Sequence, residues 1–241
     1  MFICRKTCLS GGFIISGTSG DIHGVENAAW SEVIFDSTLF PAAPVGVSLA
    51  SLPERLQGAV RSRKAEFQAG RLAASRALAA TGAPSCHVAA TAQGVPLWPE
   101  GWRGSITHSA GRALAVAAPA NAVTLMGVDC EKYDPAAAAE IETMVVNTGE
   151  RACLVSSGID YWQGVFIAFS ARESLYKALW PEVQRCFDFS AAEVCLLEAR
   201  TQRFALRLRE TLTARWTAGT VISGRFCCED GYITTLIATQ A

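Results

Sequence analysis

The segment from Tyr161 to Trp180 constrains the fold of this chain most. Its apolar residues Trp162, Val165, Phe166, Phe169, Tyr176, Leu179 and Trp180 recur at helical spacing and predict a helix of about five turns. A helix with such a stripe must bury it against a sheet or another helix. Two charged residues, Arg172 and Glu173, fall inside the stripe where hydrophobic residues are expected. An unpaired buried charge costs several kcal/mol, so each requires a compensating group. Lys177 stands one turn beyond Glu173 on the same face, an arrangement that also suits an ordinary exposed ion pair.

A second acidic segment, Gly127-Val128-Asp129-Cys130-Glu131, follows the apolar run Ala122 to Met126 and reads as a buried strand reaching the edge of its sheet. Side chains alternate along a strand, so Asp129 and Glu131 share one face and Val128 and Cys130 the other. Two carboxylates on one face repel unless a cation sits between them. Magnesium suits such a pair, because it takes a few protein oxygens and completes its shell with water and phosphate. A bare D-x-E is more often a solvated strand end, so the motif depends on its company.

That company lies upstream. In Trp102 to Gly111, His108 stands at a turn beside Thr107 and Ser109, ahead of the strand-like Ala113 to Ala117. Such a histidine can donate hydrogen bonds to an anionic oxygen, and a nearby phosphate favours its protonated form. From Arg61 to Arg76 there are five basic residues against the single acid Glu66. Arg71 interrupts the helical stripe Phe67, Ala74 and Leu78, which marks it as more than a solubilising charge; Arg63 also fits a solvated face.

Together, G-S-I-T-H-S at 104–109, G-V-D-C-E at 127–131 and F-S-A-R-E-S-L-Y-K at 169–177 resemble the three signature motifs of 4'-phosphopantetheinyl transferases, in the family's order and at about its spacing. Arg63 to Arg71, Gly94 to Pro99 and Phe187-Asp188-Phe189 are similar to the enterobactin synthase component D-like branch of the surfactin-type superfamily. The resemblance runs over residues 30 to 240. It implies an α+β fold of two similar subdomains related by a pseudo-twofold axis, each a helix packed on a mainly antiparallel sheet, with coenzyme A in the cleft between them.

The implied reaction moves the 4'-phosphopantetheine arm of coenzyme A to a serine of an apo carrier protein of siderophore, non-ribosomal peptide, polyketide or fatty-acid synthesis, releasing adenosine 3',5'-bisphosphate. By the same resemblance Asp129, Glu131 and Glu173 are metal-binding acids, the backbone carbonyl of Cys130 adds a fourth oxygen, and magnesium, or alternatively manganese, is the metal. Glu173 is the candidate base for the serine. Lys177 contacts the diphosphate, while Arg63, Arg71, Thr107 and His108 contact coenzyme A phosphates, the 3'-phosphate being the target for the arginines. Two positions depart from the family pattern: Arg172 stands where many members carry lysine, and Val95 where surfactin-type relatives carry a lysine before proline. Two other readings stay open. One is a degenerate homologue that binds coenzyme A or carrier protein without chemistry; the other is a different magnesium-dependent phosphotransferase.

The composition agrees with an intracellular enzyme. At 241 residues and 50% hydrophobic content the chain can bury a substantial core. A net charge of −1 excludes general attraction to nucleic acid or membrane, so local basic patches must do any anion binding. The nine cysteines lack the spacing of a disulfide framework or a zinc site and read as reduced thiols. No run reaches transmembrane length and no signal peptide is evident, so a cytoplasmic location is expected; with the transferase reading goes the expectation of a monomer.

Residues 1–28, rich in Gly and Ser, are expected to be poorly ordered, with subdomains at 29–121 and 122–241. Strands are predicted near Val33 to Phe35, near His87 to Ala89 and after His108, with a helix from about Arg61 to Ala80. The second half is predicted to hold a strand into Asp129, helices at Ala136 to Asn147 and 161 to 180, and strands near Val194 to Leu196, Phe204 to Leu206, Thr220 to Cys228 and Tyr232 to Ile237.

Overall fold

The computed structural model describes residues 1–5, 11–42 and 50–240. Contacts group the chain into two units, residues 1–126 with 240–241 and residues 127–239. Both are mixed α+β with antiparallel sheets, as the sequence pattern leads one to expect.

The first unit contains β1 (Phe2–Arg5), β2 (Ile14–Ile22), β3 (Ala29–Phe35), α1 (Glu54–Gln57), α2 (Arg61–Ala80), the short pair β4 (Ala89–Ala90) and β5 (Pro96–Leu97), and the hairpin β6 (Trp102–Ser109) and β7 (Arg112–Pro119). Its five-stranded sheet runs β1-β2-β3-β7-β6. Of the segment 1–28 expected to be poorly ordered, the described residues form strands β1 and β2. β2 pairs along its length with β3, Phe13 and Ile14 lie in the core, and Phe13 packs edge-on against Phe35 and Phe40. Ser16, Gly17, Ser19 and Gly20 belong to this strand, in which Ile14, Gly17, Gly20 and Ile22 are buried.

Helix α2 lies on this sheet through Ala65, Ala69, Ala73, Ala74 and Ala77, all fully buried. Small side chains let the helix approach the strands closely, and alanine favours the helix itself. Close approach is tightest at Gly70, where a Cβ would meet the Ile106 side chain at 3.0 Å. His108 is not in a turn: β6 carries it as its penultimate residue, and the hairpin turns at Ala110-Gly111, both at positive φ.

The second unit begins within β8 (Val123–Lys132), continues through α3 (Pro135–Val145), α4 (Thr148–Val155) and α5 (Tyr161–Val183), and ends with β9 (Ala192–Glu198), β10 (Arg203–Leu208), β11 (Val221–Glu229) and β12 (Tyr232–Gln240). Its sheet order is β8-β12-β11-β10-β9. Each unit thus has a strand leading into helices, and the last strand returns to pair beside it: β7 beside β3, β12 beside β8.

The predicted helix at Ala136 to Asn147 ends two residues early. Asn147 instead caps α4 by accepting from Gly149 and Glu150 backbone N–H groups, while Glu150 accepts from the Asn147 N–H. The N-x-x-E pattern at 147–150 is the sequence signature of this capping box.

The stripe expected on α5 is also corrected. Trp162, Phe169, Tyr176 and Trp180 are only partly buried, whereas Gly164, Ile167, Ala168, Ala171, Ser174, Leu175 and Ala178 are fully so. Val165, Phe166 and Leu179 of the predicted stripe are buried as well, and small residues, Ser174 and Ala178, stand where β8 comes closest. A Cβ on Gly127 would lie 2.0 Å from the Ser174 carbonyl oxygen.

Among the described residues, no helix is long and apolar enough to cross a membrane.

Candidate active site

Asp129 lies on the β8 face that meets α5 and is 2% exposed. Its Oδ1 accepts from Lys177 Nζ at 2.7 Å, and its Oδ2 accepts from Ser170 Oγ at 2.8 Å. Lys177 also donates to the Val128 carbonyl at 3.3 Å. The Cys130 thiol points the other way and accepts from Thr234 Oγ1. The alternation along β8 therefore holds, and Asp129 alone of this pair faces the helix.

Glu173 is half-buried on α5. Desolvation is the main cause raising its carboxyl above the usual glutamate range; Lys177 opposes the shift and Asp129 adds to it. An acid that holds its proton too strongly, next to an ion pair, is a common preparation for acid–base work.

A cavity of about 630 Å³ opens beside Glu173, with Tyr176, Phe187, Phe189 and Met144 among its lining. Of the aromatic residues of the sequence stripe, Tyr176 lines this cavity.

The charge expected to need compensation on α5 is fully compensated at Arg172. This residue is 4% exposed and pairs with buried Glu150. Its Nε donates to the carbonyls of Phe189 at 3.1 Å and Ala192 at 3.2 Å, and its Nη1 to Ala168 at 3.0 Å. Glu150 also accepts from the Val194 N–H at 2.5 Å. Arg172 therefore ties α5 to α4, β9 and the 3₁₀ turn Phe189–Ala191. Its donors are spent on structure, and a guanidinium with donors in several directions suits that task better than an ammonium.

The expected convergence of Asp129, Glu131 and Glu173 is not what the structure forms. Among the described residues, no three His, Cys, Asp or Glu side chains come together as a metal-holding group. Glu131 is partly exposed on β8, and both Asp129 oxygens are engaged by Lys177 and Ser170. Asp129 and Glu173 are oxygen donors of the type a hard divalent cation takes; their carboxylates repel each other, and Lys177, paired with Asp129, supplies a positive charge near both.

In the first unit, Arg71 is 8% exposed, and its guanidinium stacks on Phe67 with 4.8 Å to the ring centroid. Among the described residues its Nε has no hydrogen-bond partner. Desolvation, assisted by repulsion from Arg55, lowers its pKa to about 10. Arg71 lines a cavity of about 470 Å³ with Ser51, Gln68, Ser75 and His87, and the Gln68 Oε1 is likewise without a described partner. A buried cation with an unused donor, in a cavity lined by polar side chains, has the chemistry to accept an anion.

Arg63 donates to His108 Nε2 at 2.8 Å and to Glu66 Oε2 at 3.0 Å. A guanidinium has only donors, so Nε2 must be an acceptor and the ring neutral in this arrangement, rather than protonated as expected beside a phosphate. Thr107 and His108 do not act from one face. Strand alternation turns Thr107 to the opposite, buried side of β6, while Ile106 and His108 face α2. Two of the basic residues of α2 are structural: Arg61 donates to the Thr38 carbonyl and Arg76 to Ser31.

Sequence reasoning missed Ser170, Ser174, Thr235 and Glu66. The signal available was Ser at 170 and 174 with Lys at 177, three polar residues at one-turn spacing along the helix.

Residues 52–118 match the 4'-phosphopantetheinyl transferase N-terminal domain, and residues 125–237 match the 4'-phosphopantetheinyl transferase superfamily. Enterobactin synthase component D of Salmonella typhimurium is 34% identical over 186 residues, 77% of this chain and 76% of the relative. This chain belongs to the 4'-phosphopantetheinyl transferase superfamily. It is therefore a member of a family of transferases. The enterobactin synthase component D of Salmonella typhi is 37% identical over 147 residues, and that match spans 61% of this chain but only 60% of the relative's length. The 4'-phosphopantetheinyl transferase PptT of Mycobacterium tuberculosis is 29% identical over 221 residues, 88% of this chain and 92% of the relative.

Proposed function

We propose that this chain transfers the 4'-phosphopantetheine arm of coenzyme A to a serine of apo carrier proteins, as a monomer, releasing adenosine 3',5'-bisphosphate. The observation that carries the reading is Glu173, a half-buried glutamate with a raised pKa beside the Asp129–Lys177 pair. A serine hydroxyl is a poor nucleophile unless a base takes its proton. Glu173, once ionised, accepts that proton as the serine oxygen bonds to the phosphorus nearest the arm. The bond from that phosphorus to the bridging oxygen breaks, and the electron pair leaves with adenosine 3',5'-bisphosphate.

Lys177 faces the diphosphate and stabilises the charge that grows on the departing oxygen. Asp129, Glu131, Glu173 and the Cys130 carbonyl would hold magnesium, or manganese in its place, whose charge when bound offsets that of the diphosphate. Arg71 holds the 3'-phosphate, supported by its unused Nε and by the cavity it lines. Arg63 and His108 supply further donors once the Arg63–His108 contact opens, with Thr107 contributing from the other face of β6. The apolar cavity beside Glu173 suits the uncharged end of the pantetheine arm.

The names of the relatives suggest siderophore carriers first; non-ribosomal peptide, polyketide and fatty-acid carriers follow by chemistry. The reading is tested by incubating this protein with candidate apo carriers, coenzyme A and magnesium. Intact-protein mass spectrometry should show one carrier gaining the mass of a phosphopantetheine group on its serine. No gain on any carrier, from protein that binds coenzyme A, rejects transfer.

A further inference from the structure

Three hydroxyl groups lie between α5 and β12 with no access to water: Ser170, Ser174 and Thr235 are each 0% exposed. Ser170 Oγ donates to Asp129 Oδ2 at 2.8 Å. Ser170 Oγ and Thr235 Oγ1 are 2.9 Å apart, and Ser174 Oγ lies 2.7 Å from Thr235 Oγ1 and 3.0 Å from the Thr235 carbonyl oxygen.

Each hydroxyl has one proton, and that count fixes the direction of every bond. An ionised Asp129 can only accept, so the Ser170 proton points to it. Ser170 then has no proton for Thr235 and must accept from it. Thr235, having donated to Ser170, must in turn accept from Ser174, whose proton is shared with the Thr235 carbonyl. The chain runs one way, from Ser174 to Thr235 to Ser170 to Asp129. Aligned hydroxyl dipoles strengthen one another where water is excluded, and all of them here point at the carboxylate.

We infer that Ser170, Thr235 and Ser174 are positioning residues for Asp129, holding its Oδ2 toward the helix so that Oδ1 is presented in one fixed orientation. Oδ1 is the oxygen that Lys177 holds in this structure and that the proposed metal would use. The inference rests on the proposed function only for that last step. The ladder does not supply the proton taken from the serine; its role is orientation and charge.

The ladder also explains why polar residues occupy the most tightly packed part of this helix. Ser174 is where the α5 backbone touches Gly127, and a nonpolar residue there would leave Thr235 without a donor.

Two substitutions at one position separate orientation from packing. Thr235→Val keeps the shape and removes the middle hydroxyl, whereas Thr235→Ser keeps the hydroxyl and removes a methyl. Magnesium binding to the full chain at saturating coenzyme A, followed by calorimetry, should weaken by about tenfold in Thr235→Val and Ser170→Ala and stay within about twofold of the parent in Thr235→Ser. Crystal structures of the two hydroxyl-deletion variants should show the Asp129 carboxylate rotated from its parental orientation.

Parental magnesium affinity and an unmoved Asp129 in folded Thr235→Val overturn the inference. So does an equal loss in Thr235→Val and Thr235→Ser, which assigns the site to packing alone. If Ser170→Ala does not fold, the Thr235 pair still decides. If the parent chain binds no magnesium with coenzyme A, the proposed function fails instead, and the Asp129 orientation in the variants still tests the ladder.

Discussion

At the scale of single residues, Glu173 is held in a state that costs stability. Its folded pKa lies above that of an unfolded glutamate, chiefly through desolvation. Below the ordinary glutamate range the carboxyl is protonated in both states and nothing is lost. As pH rises through the folded pKa the native protein must accept a charge it disfavours, and stability falls. Glu173→Gln should therefore unfold at a higher temperature than the parent at neutral pH, with the difference vanishing in acid. The same change should reduce transfer at least about a hundredfold, the low end for losing a positioned base. Scanning calorimetry at two pH values and a carrier-loading assay check both halves. A variant no more stable than the parent and fully active returns Glu173 to an ordinary surface acid.

Arg71 offers a second test at this scale. Its removal should weaken coenzyme A by about 1.5–3 kcal/mol, the value of a charge-assisted hydrogen bond, and weaken dephospho-coenzyme A far less. Titration calorimetry with the two ligands measures the difference. Equal losses would move Arg71 to a diphosphate or structural role. The burial of Arg71 was legible in the sequence because it interrupts a helical stripe. The division of Thr107 from His108 was obscured by reading a hairpin's last strand residues as a turn, although the alternation rule applies as soon as the strand is extended by two residues.

At the scale of elements, α5 is set in place by backbone contact on one side and by Arg172 on another. A Cβ at Gly127 would meet the Ser174 oxygen at 2.0 Å and the Ala178 nitrogen at 2.8 Å, both backbone atoms that move only if the helix moves. Gly127→Ala should cost about 3 kcal/mol, the upper part of the overpacking range, and lower the melting temperature by about 6–12 °C. Arg172→Lys keeps the charge but cannot reach Glu150 and three carbonyls together. It should cost about 1–3 kcal/mol for the groups left unpaired, with transfer retained below the melting transition. Activity lost in protein that stays fully folded would place Arg172 in the chemistry. The long helices and the later strands were legible because their periodicity is strong and local. The α5 burial face was not, because apolar periodicity identifies large side chains and this interface selects small ones. The partner of Arg172 was hidden for a different reason: Glu150 is 22 residues away and meets it only through folding.

At the scale of the whole molecule, the proposed ligand contacts are divided between two units with separate sheets. Magnesium alone should protect backbone amides only in residues 127–239, around β8 and α5, whereas coenzyme A should also protect amides of α2. Hydrogen exchange read by mass spectrometry distinguishes these patterns. Protection of α2 by magnesium alone would contradict the division.

Both sheets share a connectivity with a consequence for synthesis. β8 is made more than 90 residues before its sheet neighbour β12, and β3 well before β7. β8 finds no sheet partner until the helices between have been made, and β3 has only β2 beside it until β7 follows, so each unit depends on a contact far apart in sequence, the kind that slows folding. A ribosome that stalls before Tyr232 leaves β8 without its sheet partner and Ser170, the residue that donates to Asp129, without the hydroxyl of Thr235. The nascent chain then lacks its proposed catalytic geometry until its last strand has emerged.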